Sequence, residues 1–76
     1  METLKLRMEK QGRAGKTVTV VDGFTREKRL MEEMLSELRR TLSTGGTFRE
    51  TTLILQGDHR VKLRELFRGK GFTVKG

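Results

Sequence analysis

Apolar and polar positions alternate at the start of the chain. Leu4, Leu6 and Met8 interleave with Lys5, Arg7 and Glu9. A period of two predicts a strand over residues 3–9 with one buried face. The run KTVTVVD, residues 16–22, predicts a second β-branched strand with Val18 and Val20 on one face. Between them lies Lys10-Gln11-Gly12-Arg13-Ala14-Gly15. Its glycines give the φ freedom that a chain reversal needs, so the two strands are read as a hairpin.

The period then changes. Over residues 26–42, Leu30, Met34, Leu38 and Leu42 recur every fourth position, with Met31 and Leu35 beside them. That is one apolar stripe on a helix. Thr25 is the expected N-cap. Arg39 and Arg40 fall in the last turn, where cations interact favourably with the helix dipole, and Gly45-Gly46 are expected to stop the helix. Residues 47–56 read as a strand or a tight hairpin with Leu53 and Leu55 on one face. Gly57 breaks that run, and Asp58 is the expected N-cap of a helix from His59 to Arg68. Leu63, Leu66 and Phe67 form its apolar face. Phe72 and Val74 alternate with Thr73 and Lys75 as a last short strand.

The predicted order is therefore β-β-α-β(β)-α-β. The expected class is α+β, a two-layer sandwich with both helices on one face of a mostly antiparallel sheet. The other face would stay open, with Lys5, Arg7, Thr17 and Thr19 contributing to it. All 76 residues are expected to form a single domain.

Charge sharpens this picture. The formal net charge is +7. A basic excess on a small domain points to an acidic partner, nucleic acid ahead of an anionic membrane. Cysteine is absent and His59 is the sole histidine, so no thiol nucleophile, disulfide or multi-histidine metal site is expected. No cofactor or catalytic residue is expected either. No apolar run is long enough to span a bilayer and no signal peptide is recognisable, so the chain reads as a cytoplasmic monomer.

Gly15-Lys16-Thr17 resembles the end of a phosphate-binding loop. In G-x-x-x-x-G-K-S/T the first glycine would fall at position 10, which is Lys10, and the loop must open a helix. A strand follows instead, so no helix N-terminus faces a phosphate. What remains is a hairpin turn carrying Lys10, Arg13 and Lys16, with Gln11 as a further hydrogen-bonding group. Gly12 and Gly15 let backbone approach a surface, and arginine offers planar paired donors to phosphate. The alternative is a plain flexible turn. On the second helix Arg60, Arg64 and Arg68 lie four apart and form a ridge, either phosphate-binding or simply solvated. Asp58 and His59 read as a cap and a surface residue rather than an acid–base pair. The four phenylalanines fit core positions, and Trp and Tyr are absent. A sheet that stacks bases on aromatics is therefore not expected; phosphates and shape would carry RNA binding.

The motifs G-K-T-V-T-V-V-D-G-F, G-G-T, Q-G-D-H-R and K-G-F-T-V, at this spacing, carry a family resemblance. The chain resembles the SUI-domain translation initiation factors, the family of eukaryotic initiation factor one and its archaeal and YciH-type bacterial relatives, from about Leu4 to Lys75. The resemblance implies a two-layer fold. It also implies binding to ribosomal RNA of the small subunit near the peptidyl site, with initiator tRNA and mRNA as indirect partners, and an influence on start-codon selection. It brings the segment Gln11 to Lys16 to the decoding region and makes Gln56-Gly57-Asp58 structural. A general or stress-related RNA-binding regulator is the alternative. Relatives carry a longer N-terminal tail, whose role is expected to be absent here. They also often place a glycine where this chain has Glu50-Thr51, so that turn is expected to be wider or replaced by continuous strand.

Overall fold

A computed structural model of the chain describes residues 3–12, 15–25 and 27–76. The strands β1 (Thr3–Gln11) and β2 (Lys16–Asp22) are followed by helix α1 (Lys28–Leu42), strands β3 (Gly46–Arg49) and β4 (Thr52–Gln56), helix α2 (Arg60–Gly69) and strand β5 (Thr73–Lys75). The sheet order is β3-β4-β2-β1-β5. Among the described residues only the β1–β5 pairing is parallel; the others are antiparallel. Both helices lay apolar faces on one side of this sheet, as the α+β reading expected. The core joins Leu4, Leu6, Val21, Leu53, Leu55 and Val74 from the sheet to Met31, Leu35 and Leu38 of α1 and to Leu63 and Phe67 of α2. Each of these large side chains contributes about 1.5–3 kcal/mol by leaving water.

Register corrects one assignment of faces. Leu6 faces Val21 and Met8 faces Thr19 across β1 and β2. The helix-facing residues of β2 are therefore Thr19 and Val21, while Val18 and Val20 lie on the opposite face. Thr17 pairs with Lys10 on the helix side, so neither Thr17 nor Thr19 belongs to the open face. The reason is position. β2 is the third of five strands, and its residues Val18 to Val21 are all buried. A central strand buried on both faces loses the alternation from which a face is read. On the open side, Val18 and Val20 lie between Glu9 and Arg7 of β1 and Gln56 and Ile54 of β4.

Element ends also differ from expectation. Helix α1 begins at Lys28, with Glu27 in extended conformation as its N-cap in place of Thr25. Its end is made by Ser43 in the left-handed region, φ 51°, and by the Thr44 N–H donating to the Arg39 carbonyl at 3.1 Å. Gly45 and Gly46 do not stop the helix; they allow close packing. A Cβ on Gly46 would lie 2.6 Å from Leu55 Cδ2 and 2.8 Å from the Ile54 carbonyl oxygen. Residues 47–56 form the tight hairpin. Arg49 pairs with Thr52, leaving a two-residue turn in which Glu50 takes φ 54°. Helix α2 is capped at His59 rather than Asp58, although the Asp58 carboxylate still accepts from the Arg60 N–H at 3.2 Å.

Candidate nucleic-acid interface

The β1–β2 hairpin extends to its last pair, Gln11 and Lys16. Gly12 and Gly15 both have positive φ, 79° and 63°, and the Gly15 N–H donates to the Gly12 carbonyl at 3.1 Å. A Cβ at either position would meet no atom within 4 Å. Backbone conformation, not space, selects glycine there. Lys10, Gln11, Gly12, Gly15 and Lys16 are all exposed. Arg13, the arginine expected at the tip, lies outside the described residues. By register Gln11 and Lys16 point to the open sheet face and Lys10 to the helix side.

The turn before α2 is bolted to the base of this hairpin. The Gly57 N–H donates to the Thr17 carbonyl at 2.9 Å. Thr19, fully buried, donates its hydroxyl to the Gly57 carbonyl at 2.6 Å and accepts from the His59 N–H at 3.0 Å. The His59 ring Nε2 donates to the Gln56 carbonyl at 2.7 Å. Asp58 and Arg60 form a two-armed pair, Nε–Oδ1 and Nη2–Oδ2 both at 3.1 Å. The hydrogen bonds from Arg60 hold the Asp58 carboxyl below its ordinary pKa and raise that of the guanidinium.

The predicted arginine ridge is divided by this geometry. Arg60 starts α2 and lies at the hairpin end. Arg64 is half-buried and donates to the Gly76 carbonyl. Arg68 lies two turns further along the helix, about 12 Å from Arg60 at 1.5 Å per residue. It is exposed at the end of α2 that leads into β5. The structure thus groups Arg60 with the hairpin cations and leaves Arg68 apart from them.

Two cations that sequence reasoning assigned to the helix dipole join the group. The Gln56 N–H donates to the Gly45 carbonyl at 2.9 Å, and Thr44 Oγ1 donates to the Gln56 carbonyl at 2.8 Å. These bonds fix the end of α1 beside Gln56 and Gly57. Arg39 and Arg40 there line a hollow of about 680 Å³ with Ser36, Ser43, Thr44 and Gly45. The available signal was the run R-R-T-L-S-T-G-G leading into β3, whose hairpin partner is the strand that ends at Gln56. Nothing in its local pattern shows that this strand ends next to the first hairpin.

The aromatic side chains lie on the other side of the sheet. Phe24, Phe67 and Phe72 form an edge-to-face trio with centroids 5.6–5.8 Å apart. Phe48 is half-buried against the same core. Among the described residues no group of three His, Cys, Asp or Glu could hold a metal ion. No helix among the described residues is long and apolar enough to cross a membrane. The described groups gathered at this end of the sheet are cationic and hydrogen-bonding.

Comparison with known families adds to that geometry. Residues 1–73 match the family model described as translation initiation factor SUI1. This chain belongs to the SUI1 family. It is 42% identical over 74 residues to a protein translation factor SUI1 homolog of Methanopyrus kandleri, covering 96% of this chain and 69% of the relative. It is 39% identical over 69 residues to the homolog of Sulfolobus acidocaldarius, covering 91% and 69%. With the homolog of Hyperthermus butylicus the identity is 35% over 71 residues, covering 93% and 68%. Family membership supports a role in translation initiation for this SUI1 chain. In it, the G-G-T and Q-G-D-H-R motifs are the joints that hold the end of α1, the base of the hairpin and the start of α2 together.

Proposed function

We propose that the chain is a non-enzymatic initiation factor that binds the small ribosomal subunit through ribosomal RNA near the peptidyl site, and there influences start-codon and initiator-tRNA selection. One observation carries the reading. Cations from three segments that are distant in sequence, the β1–β2 hairpin, the end of α1 and the start of α2, are held at one end of the sheet by hydrogen bonds of the main chain and of the Thr19 and Thr44 hydroxyls. Such a rigid group fits a folded RNA surface, where phosphates give affinity and the spacing of cations gives fit. With no aromatic on the open sheet face, base stacking contributes little.

The test is titration of labelled protein into purified small subunits with excess unrelated structured RNA present. Saturable binding that survives the competitor is expected. Equal loss to the competitor would instead make the chain a general RNA-binding module. A toeprinting assay then reads selection: the factor should change the ratio of complexes on near-cognate codons to those on AUG, and no change would remove the start-codon part of the proposal.

A further inference from the structure

A groove on the open sheet face runs up to the hairpin. It measures about 720 Å³ and is lined by residues that include Gln11, Lys16, Val18, Gln56 and Gly57. A hollow of about 230 Å³ adjoins it and shares Gln11, Val18 and Gln56, adding Thr47 and Ile54. Its floor is aliphatic, from Val18 of β2 and Ile54 of β4. Its walls carry two amides, and Lys16 stands at its mouth. The size falls in the range of small-molecule sites, about 300–1,000 Å³.

The amides have defined hydrogen-bonding capacity. Gln11 follows Glu9 by two residues on the same face of β1, and the neighbouring carboxylate favours the amide orientation that turns N–H toward it and leaves Oε1 as an acceptor. Gln56 uses its main-chain groups on Gly45, Thr44 and His59. Its side-chain amide makes no hydrogen bond to a described residue and offers both a donor and an acceptor.

We propose that this groove takes one unpaired nucleobase of the RNA held by the hairpin cations, adenine by preference. The idea rests on the RNA-binding reading above. The exocyclic amino group of adenine has two N–H donors, one for Gln11 Oε1 and one for Gln56 Oε1. The Gln56 amide N–H donates to the neighbouring ring nitrogen, the paired contact by which glutamine reads adenine. The base face rests on Val18 and Ile54, and an adjacent phosphate sits at Lys16. Uracil presents a carbonyl in place of the amino group and leaves Gln11 Oε1 opposite another acceptor.

The experiment titrates the full chain with short single-stranded oligo-A and oligo-U at one salt concentration, following affinity and the methyl resonances of Val18 and Ile54. Oligo-A should bind about tenfold more tightly and should shift both methyl signals. Gln56→Leu should bring the A-to-U ratio close to one without altering the salt dependence. Gln11→Leu, on the other wall, should also lower the ratio. Equal affinity for the two oligomers in the wild type, still methyl signals, or a ratio that survives Gln56→Leu would overturn the slot. A protein that binds small subunits saturably yet fails here loses the slot and keeps the subunit reading. One that binds neither loses both.

Discussion

Thr19 is the residue on which the geometry of the candidate interface turns. Its hydroxyl both donates to Gly57 and accepts from His59, inside a site that water does not reach. Replacing it with valine keeps shape and strand preference but leaves a carbonyl and an N–H without their partner. Stranding a buried polar group costs about 1–3 kcal/mol, a large part of the roughly 4–11 kcal/mol that a chain of this length holds. Urea denaturation of Thr19→Val should show that loss, with Thr19→Ser closer to wild type; an unchanged midpoint would mean that the turn is held by its main-chain bonds alone. From the sequence Thr19 read as a surface residue, because strand alternation gives two faces without saying which is buried. Gly46 is a similar case: the G-G-T motif was visible, but its purpose, contact with Leu55 and the Ile54 carbonyl, depends on a strand that local patterning does not place beside it.

Elements were more legible than their ends. The stripe of α1 and the alternation of β1 required no tertiary knowledge, because their buried faces follow their own periodicity. Helix ends depended on single residues that compete closely. Glu27 and Ser43 took the cap positions expected of Thr25 and glycine, and His59 took that of Asp58. The β3–β4 turn is the clearest conflict between element and residue. Glu50 occupies the left-handed region there, at roughly 1–2 kcal/mol for a residue with a Cβ. Glycine removes that strain and returns about 0.5–1 kcal/mol to the unfolded chain as entropy. Glu50→Gly should therefore stabilise by about 0.5–1 kcal/mol and raise Tm by roughly 2–8 °C in thermal denaturation, and a lower Tm would refute the strain argument. At the start of α2 the relevant variable is pH. Hydrogen bonds from Arg60 depress the Asp58 pKa below the ordinary 3.8, so folding favours the ionised carboxylate. That contribution is complete above the unfolded value and is lost as pH falls through the lower folded one. The stability difference between wild type and Asp58→Asn should be flat at neutral pH and close only below the ordinary aspartate range. A difference that changed between pH 7 and 5 would point to another group.

At the scale of the whole molecule, charge and its placement make separate predictions. The net charge of +7 was plain in the sequence and predicts salt-sensitive binding to RNA, but a sum does not say which cations act together. The fold separates them. Lys10 and Lys16 are exposed on the hairpin, Arg39 and Arg40 stand at the end of α1, Arg60 is already matched by Asp58, and Arg68 lies at the far end of α2. Helical spacing alone placed Arg60, Arg64 and Arg68 in one ridge. It had no means of grouping Arg39 with Lys16, because that depends on Gln56 bonding to Gly45 and Gly57 to Thr17. Each phosphate contact contributes close to one unit to the slope of log K against log salt. Binding to small subunits, measured over a salt series, should therefore lose about one unit of slope for each of Lys10→Ala and Lys16→Ala. Arg39→Ala and Arg40→Ala should each weaken binding and flatten the slope in the same sense. Arg60→Ala should have a smaller effect, since its charge is partly neutralised in the free protein. Arg68→Ala should leave the slope unchanged. If Arg68 instead matters as much as Lys16, the RNA lies along α2, and the hairpin end is not the interface.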